Sequence, residues 1–202
     1  QASSSAASDV YKRQILTRKL NEMRIIETKA YQFQELDEQT KEKAIDNYRY
    51  VSVEHDSWWD FVKEDLISVG IELRSFDIDR GSFAEIHLED FYETCELILK
   101  WHGENCETYK IAERYIKEHD SIKEKMDNLE CNENDDSDEE HLNKLMQLDK
   151  DLEDLDEEYQ KEFSWEVLSM LRKEYEYMIS DEHTIEIFEV NEYEFTKEGK
   201  LI

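Results

Sequence analysis

The chain has no proline, four glycines and three cysteines in 202 residues, and only 25 basic side chains against 53 acidic ones. Each shortage excludes something. Without proline no helix is broken from within, so glycines and polar loops are left to set the boundaries. Gly70, Gly81, Gly103 and Gly199 all fall at predicted boundaries. Cys95, Cys106 and Cys131 form an odd set with no CxxC pair and no zinc-type spacing to a histidine. That argues against a disulfide framework and a metal centre, and it fits a reducing setting such as the cytoplasm. No window approaches the roughly 20 apolar residues of a membrane span, and no signal-peptide-like run stands near the start. The shortage of basic residues leaves a formal charge of -28, which repels phosphates and argues against direct binding of nucleic acid. A protein so charged is expected to seek a basic surface on another protein, DNA-binding clefts included.

What is present is a core. With 39% apolar residues the length suits one domain with an appended element. Its organising stretch is Asp56 to Leu88. Asp56 or Ser57 caps a helix on which Trp59, Val62, Leu66 and Val69 recur at three- and four-residue steps, with Phe61 broadening the stripe. Gly70 ends it. Ile71 and Leu73, then Ala84, Ile86 and Leu88, alternate with polar residues around a turn at Asp79 to Ser82, which predicts a hairpin packed on the helix.

The remaining order follows from the same signals. Residues 1 to 22 read as a non-native or disordered leader, with Met23 as a plausible start and Arg24 to Phe33 as a first strand. Asp37 caps a helix with Ala44, Ile45 and Tyr48 inward. Asp90 caps another, carrying Phe91, Cys95, Ile98 and Trp101 and stopping at Gly103. A further helix from about Cys106 turns Tyr109, Ala112, Ile116, Ile122 and Met126 inward. The α+β core is thus expected over 23–127 and an acidic loop over 128–144. Residues 145–202 are expected to form an acidic helix returning to the core, followed by a small hairpin whose edge joins the central strands.

That acidic region carries the most distinctive signal. Between Glu130 and Glu162 stand 15 acidic and three basic residues, a net charge of -12. Leu145, Leu148, Leu152, Leu155 and Tyr159 follow a three-four rhythm over about two heptads. So short a seam favours one arm of an intramolecular helical hairpin, and hence a monomer, over a dimer. Phe163, Val167, Leu171 and Tyr175 extend the stripe towards Met178, and Ser180 caps a last helix. Asp151, Glu153, Asp154, Asp156, Glu157 and Glu158 largely avoid the seam, so they are the candidate partner-binding residues.

Other constellations are weaker. Asp77, Asp79 and Arg80 have the residue types of a cation or phosphate site, yet Asp and Gly at a hairpin tip are ordinary turn chemistry. Asn132 to Glu140 has the look of a calcium loop, but Ser137 stands where glycine is required and Asn143 where the last glutamate belongs. His102 and Cys106 are four residues apart across Gly103, which breaks the helix that would align them on a metal. His55 beside Asp56 reads as a capping or packing histidine, since no nucleophile stands at readable spacing. Trp58, Trp59, Trp101 and Trp165 are too dispersed for a stacking platform and are expected in the core. No catalytic residue, cofactor or metal ligand is assigned.

At Tyr31-Gln32-Phe33, Leu36, Lys43-Ala44-Ile45, Trp58-Trp59, Asp77 to Ser82, Cys106 to Lys110 and Asn191 to Thr196 the chain resembles a group of acidic phage and prophage proteins of gut bacteria, loosely labelled antitoxin-like. The resemblance spans about Met23 to Ile202, and its motifs have no assigned chemistry. It implies a role in phage-host conflict. The expected fold is α+β, a small antiparallel sheet covered by helices with a long acidic helix in the C-terminal half. The expected function is non-enzymatic: occupying a basic surface on a toxin or a nucleic-acid-binding defence protein, as an antitoxin or DNA mimic does. The alternatives are a small metal-dependent phage enzyme working near Asp77 and Asp79, or a structural or accessory phage protein.

Overall fold

The computed structural model describes residues 27–54, 57–130 and 139–202. The leader, Arg24 to Ile26, His55, Asp56 and the centre of the acidic loop lie outside them. The fold is α+β. In chain order it runs β1 (Tyr31–Gln32), α1 (Glu38–Tyr48), α2 (Asp60–Ser68), β2 (Ile71–Asp77), β3 (Phe83–Leu88), α3 (Phe91–Trp101), α4 (Glu107–Glu130), α5 (Glu139–Met178), α6 (Asp181–Val190) and β4 (Glu194–Phe195). Two units are distinguished, Asn47–Glu186 and a smaller one of Gln1–Asp46 with Ile187–Ile202.

In the smaller unit, Asp37 caps α1 as its sequence position predicts. The Thr40 backbone N–H donates to Asp37 Oδ1 at 2.9 Å and the Thr40 hydroxyl to Oδ2 at 3.1 Å. These bonds, the backbone one foremost, hold the Asp37 carboxyl below its usual range. Of the predicted run from Arg24 to Phe33, only Tyr31 and Gln32 are strand among the described residues: Glu27 to Ala30 lie outside the sheet, and Phe33 opens a 3-10 turn. Antiparallel pairing sets Tyr31 opposite Phe195 and Gln32 opposite Glu194. The chain then doubles back so that Phe195 bridges to Leu201. The terminal hairpin therefore exists, but it joins the first strand and not the central ones. Aromatic packing accounts for that choice: Phe188 lies 5.3 Å from Phe33 and 5.0 Å from Phe195, and all three rings are buried. Gly199 has φ 81°, and a Cβ there would meet the Thr40 backbone oxygen at 3.1 Å.

The larger unit contains the central hairpin. Val62, Leu66 and Val69 are buried as the helical spacing requires, and Gly70, at φ 85°, closes the end of α2. The start of α2 departs from expectation. Trp59 occupies the cap position without a side-chain hydrogen bond, and Ser57 contributes only its carbonyl, to the Asp60 N–H. Phe61 is 75% exposed, on the side of α2 away from the buried stripe. Strands β2 and β3 pair from Ile71 opposite Leu88 to Asp77 opposite Phe83, with an irregularity between Leu73 and Ser75. Trp59 stands edge-on to Phe76 at 4.3 Å, and Trp58 contacts Phe76 and Tyr175. Asp90 caps α3 through the Glu93 N–H at 2.8 Å.

Helices α4 and α5 form an antiparallel hairpin. The Tyr115 hydroxyl donates to Asp156 at 2.7 Å, the Tyr159 hydroxyl to Glu118 at 2.9 Å, and Arg114 pairs with Glu162. The buried stripe on α4 is Thr108, Ile111, Ala112 and Tyr115, so Tyr109 and Ile116 sit at its margin and are half-buried. On α5 burial runs from Leu155 to Leu171. Phe163 lies at the centre, fully buried and 5.8 Å from the Phe91 ring. Ser180 caps α6 through the His183 N–H at 3.1 Å.

Candidate interaction surface on the long helix

At 40 residues and about 1.5 Å per residue, α5 is about 60 Å long. No glycine or proline interrupts it, and one apolar stripe serves both its halves. From Leu155 onward the stripe enters the core, whereas Leu145, Leu148 and Leu152 are only half-buried. Across from them, Ile122, Met126 and Leu129 of α4 are half-buried too. No described residue between Ile116 and Asp154 is buried. This half of the hairpin is an arm, held by its own seam.

The six sequence-predicted residues divide by orientation. Glu153, Asp154, Glu157 and Glu158 are exposed, and at about 100° per residue they share one face of the helix. Among these four, only Glu157 has an ion pair within the described residues, with the exposed Lys161 at 3.7 Å, a pair of a kind that contributes little. Asp151 is half-buried and accepts from Gln147 Nε2 at 2.8 Å. Asp156 turns inward instead and takes the Tyr115 hydroxyl. That placement had a sequence signal, because Leu152, Asp156 and Tyr159 share the i, i+4, i+7 spacing of the seam. Burial first, then the bond to Asp156, raises the Tyr115 phenol well above its ordinary range. Tyr159, likewise buried and bonded to Glu118, is pushed up to about 12. These hydroxyls stay protonated and lock the register of the two helices.

The linear charge density is high. Between Asp149 and Glu162 there are eight carboxylates and two lysines, a net of -6 over 14 residues. That corresponds to one net charge per about 3.5 Å of helix axis, close to the roughly 3.4 Å per charge along one strand of DNA.

The other candidates resolve differently. At the hairpin tip, Asp77 Oδ1 accepts the Asp79 N–H at 2.7 Å and Oδ2 the Gly81 N–H at 3.1 Å. These backbone donors hold the Asp77 carboxyl low. The tip is built as a turn, and Arg172 of α5 ties it down by donating to the Ser82 hydroxyl at 2.7 Å. Among the described residues no group of three His, Cys, Asp or Glu side chains could hold a metal ion. Trp101 and Trp165 are 65% and 64% exposed, which corrects their assignment to the core. Trp165 falls between the buried Phe163 and Val167, where an α-helix turns outward.

Sequence reasoning missed one cleft. Asp65, Trp101, His102, Cys106, Glu166 and Lys173 line a space of about 540 Å³ at the start of α4. His102 Nδ1 lies 2.7 Å from the Thr108 hydroxyl, while its buried Nε2 has no hydrogen-bond partner and stands 3.8 Å from Asp65 Oδ2. Burial raises the Glu166 carboxyl. Three helices far apart in sequence contribute, so no local spacing announces the site.

No described helix is long and apolar enough to cross a membrane. No family model, no curated protein and no solved structure matches the chain.

Proposed function

We propose that this chain is a non-enzymatic acidic binding protein whose long helix occupies a basic surface of a partner protein. The observation that carries the reading is the exposed carboxylate face of α5, Glu153, Asp154, Glu157 and Glu158, on a stretch of helix whose other side is anchored by the buried Leu155 and Tyr159. A helix fixed at Leu155 and Phe163 presents those charges without the ordering cost that a disordered acidic tail incurs on binding. A density near that of a nucleic-acid strand suits a surface evolved to hold phosphates, such as a nucleic-acid-binding defence protein or a toxin that acts on nucleic acid. In this reading the protein works as a monomer in the bacterial cytoplasm, as an antitoxin or DNA-mimic inhibitor of the phage or prophage type.

The test is capture of partners from a bacterial host lysate on the tagged protein, at low and at high salt. A basic protein retained at low salt and released as the screening length shrinks is the expected result. Retention that ignores salt contradicts the reading.

A further inference from the structure

The cleft at the start of α4 holds an unmet hydrogen bond. The His102 side chain is only 9% exposed, and its Nε2 has no partner: Asp65 Oδ2 faces it at 3.8 Å, beyond hydrogen-bonding distance. A buried polar atom left unpaired is costly, so one inside a cleft marks where a polar group of a ligand belongs. The ring is not free to turn away. Its Nδ1 is held by the Thr108 hydroxyl at 2.7 Å. The connection that carries it is pinned by the His102 N–H, which donates to the Ile98 carbonyl, and the Cys106 N–H, which donates to the Gly103 carbonyl, each at 2.8 Å. Asp65 is half exposed on α2, so its carboxylate can swing aside and admit a group to Nε2.

The charged side chains of the lining decide the sign of that group. They are Asp65, Glu107, Glu166 and Lys173. Lys173 faces Glu166 at 3.8 Å, and Glu107 is paired with Lys110 at 3.0 Å. Among the described ion pairs Asp65 has only the His102 ring. One carboxylate is therefore left over beside an unpaired ring nitrogen, and a cation that donates to both meets both needs. Two acceptors 3.8 Å apart can each stand about 2.9 Å from a single nitrogen, with about 80° between the two bonds, which an ammonium group can supply.

We propose that this cleft binds a small primary amine, whose ammonium donates to His102 Nε2 and Asp65 Oδ2 while its apolar body lies on Trp101 and Met170. The ring then carries its hydrogen on Nδ1 and donates it to the Thr108 hydroxyl. A carboxylate or phosphate in the same place is repelled by Asp65 and Glu166, and a neutral hydroxyl leaves Asp65 without a counter-charge. At about 540 Å³ the space suits a small molecule. The site is separate from the acidic face of α5 and does not depend on the function proposed above.

Amide-resolved NMR titration of the full chain with phenethylamine tests this, with phenethyl alcohol and hydrocinnamate as the neutral and anionic counterparts. The amine is expected to shift the amides of Asp65, His102 and Thr108 saturably and to bind at least about tenfold tighter than the alcohol, the ratio for one hydrogen bond to a charged group. Asp65→Asn should remove that ratio. Should this variant lose its fold by circular dichroism, the amine-to-alcohol ratio of the wild type decides alone. A chain of charge -28 gathers any cation loosely, so the imidazole nitrogen shifts supply a readout that loose attraction does not move. Bound amine should fix His102 with its hydrogen on Nδ1, and a hydrogen that stays on Nε2 at saturation overturns the proposal. Equal affinity for amine and alcohol, tighter binding of hydrocinnamate, or shifts confined to the acidic stretch of α5 also overturn it. Acetyl-lysine methylamide distinguishes two sources of the ammonium: binding as tight as that of phenethylamine assigns the site to a lysine side chain, much weaker binding assigns it to a free amine, and both support the site.

Discussion

Replacing Phe163 with alanine probes how α5 is held. Its ring is fully buried, packs against Phe91 at 5.8 Å, and lies between Tyr159 and Val167 on the buried stripe. Losing a buried phenylalanine costs about 3 to 5 kcal/mol, from the transfer of the ring and the cavity left behind. Neighbouring side chains can close little of that cavity, because the core cluster to which Phe163 belongs, with Val167, Leu168 and Ile111, is itself buried and close-packed. With a urea slope of about 2 kcal/mol per molar, the unfolding midpoint should fall by about 1.5 to 2.5 M. Trp165→Ala is the internal control: it removes a larger ring two residues away, but one that is 64% exposed, so its effect should stay within about 0.5 kcal/mol. Urea titration followed by far-ultraviolet circular dichroism measures both. A cost below about 1 kcal/mol for Phe163→Ala, or a larger cost for Trp165→Ala, would refute the orientation of α5 and with it the outward placement of the acidic face.

Three further outcomes follow from local geometry. Gly70→Ala should destabilise the protein by about 1 to 2 kcal/mol in the same titration, since a side chain at φ 85° is strained and its Cβ would stand 3.2 Å from the Thr94 hydroxyl. Burial pushes the Cys95 thiol up to about 12, so at pH 8 Ellman's reagent should label the exposed Cys106 in the folded protein and reach Cys95 only after unfolding; prompt labelling of a Cys106→Ser, Cys131→Ser variant would contradict this. Asp37 is held below its usual range by Thr40, so its cap stabilises the fold above the ordinary aspartate value near 3.9 and that contribution fades as pH falls through the lower folded value. Thermal melts of Asp37→Ala should therefore lie below wild type at pH 7 and converge with it near pH 2, and a gap that widens in acid would contradict the sign.

Much of the fold was written in local spacing. Asp37, Asp90 and Ser180 cap helices where their positions predicted, and Gly70 closes α2, because caps and left-handed glycines depend on a few neighbouring atoms. The stripe from Leu145 to Leu171 sufficed to give one long helix. Reading failed where the partner was distant. Phe61, Trp101 and Trp165 are large and apolar, yet which face of a helix is covered depends on what packs there, and burial by residue type alone misplaced them. The terminal hairpin found β1 and not the central strands because Phe33 and Phe188 made a separate aromatic core. The acidic face was legible as composition, but the inward turn of Asp156 became plain only with Tyr115 opposite it. The His102 cleft, drawn from α2, the α3–α4 connection and α5, had no linear signature at all.

The central claim is that exposed carboxylates of α5 meet a basic partner. It is tested most directly by the association rate of a captured partner with wild type and with the variant Glu153→Gln, Asp154→Asn, Glu157→Gln, Glu158→Gln. All four are exposed, so the variant should melt as wild type does. At low salt its association should be slower by about 10- to 100-fold, with the two rates converging as salt screens the wild-type face over distances beyond about 8 to 10 Å. Equal association rates at low salt, with both proteins folded, would contradict the account.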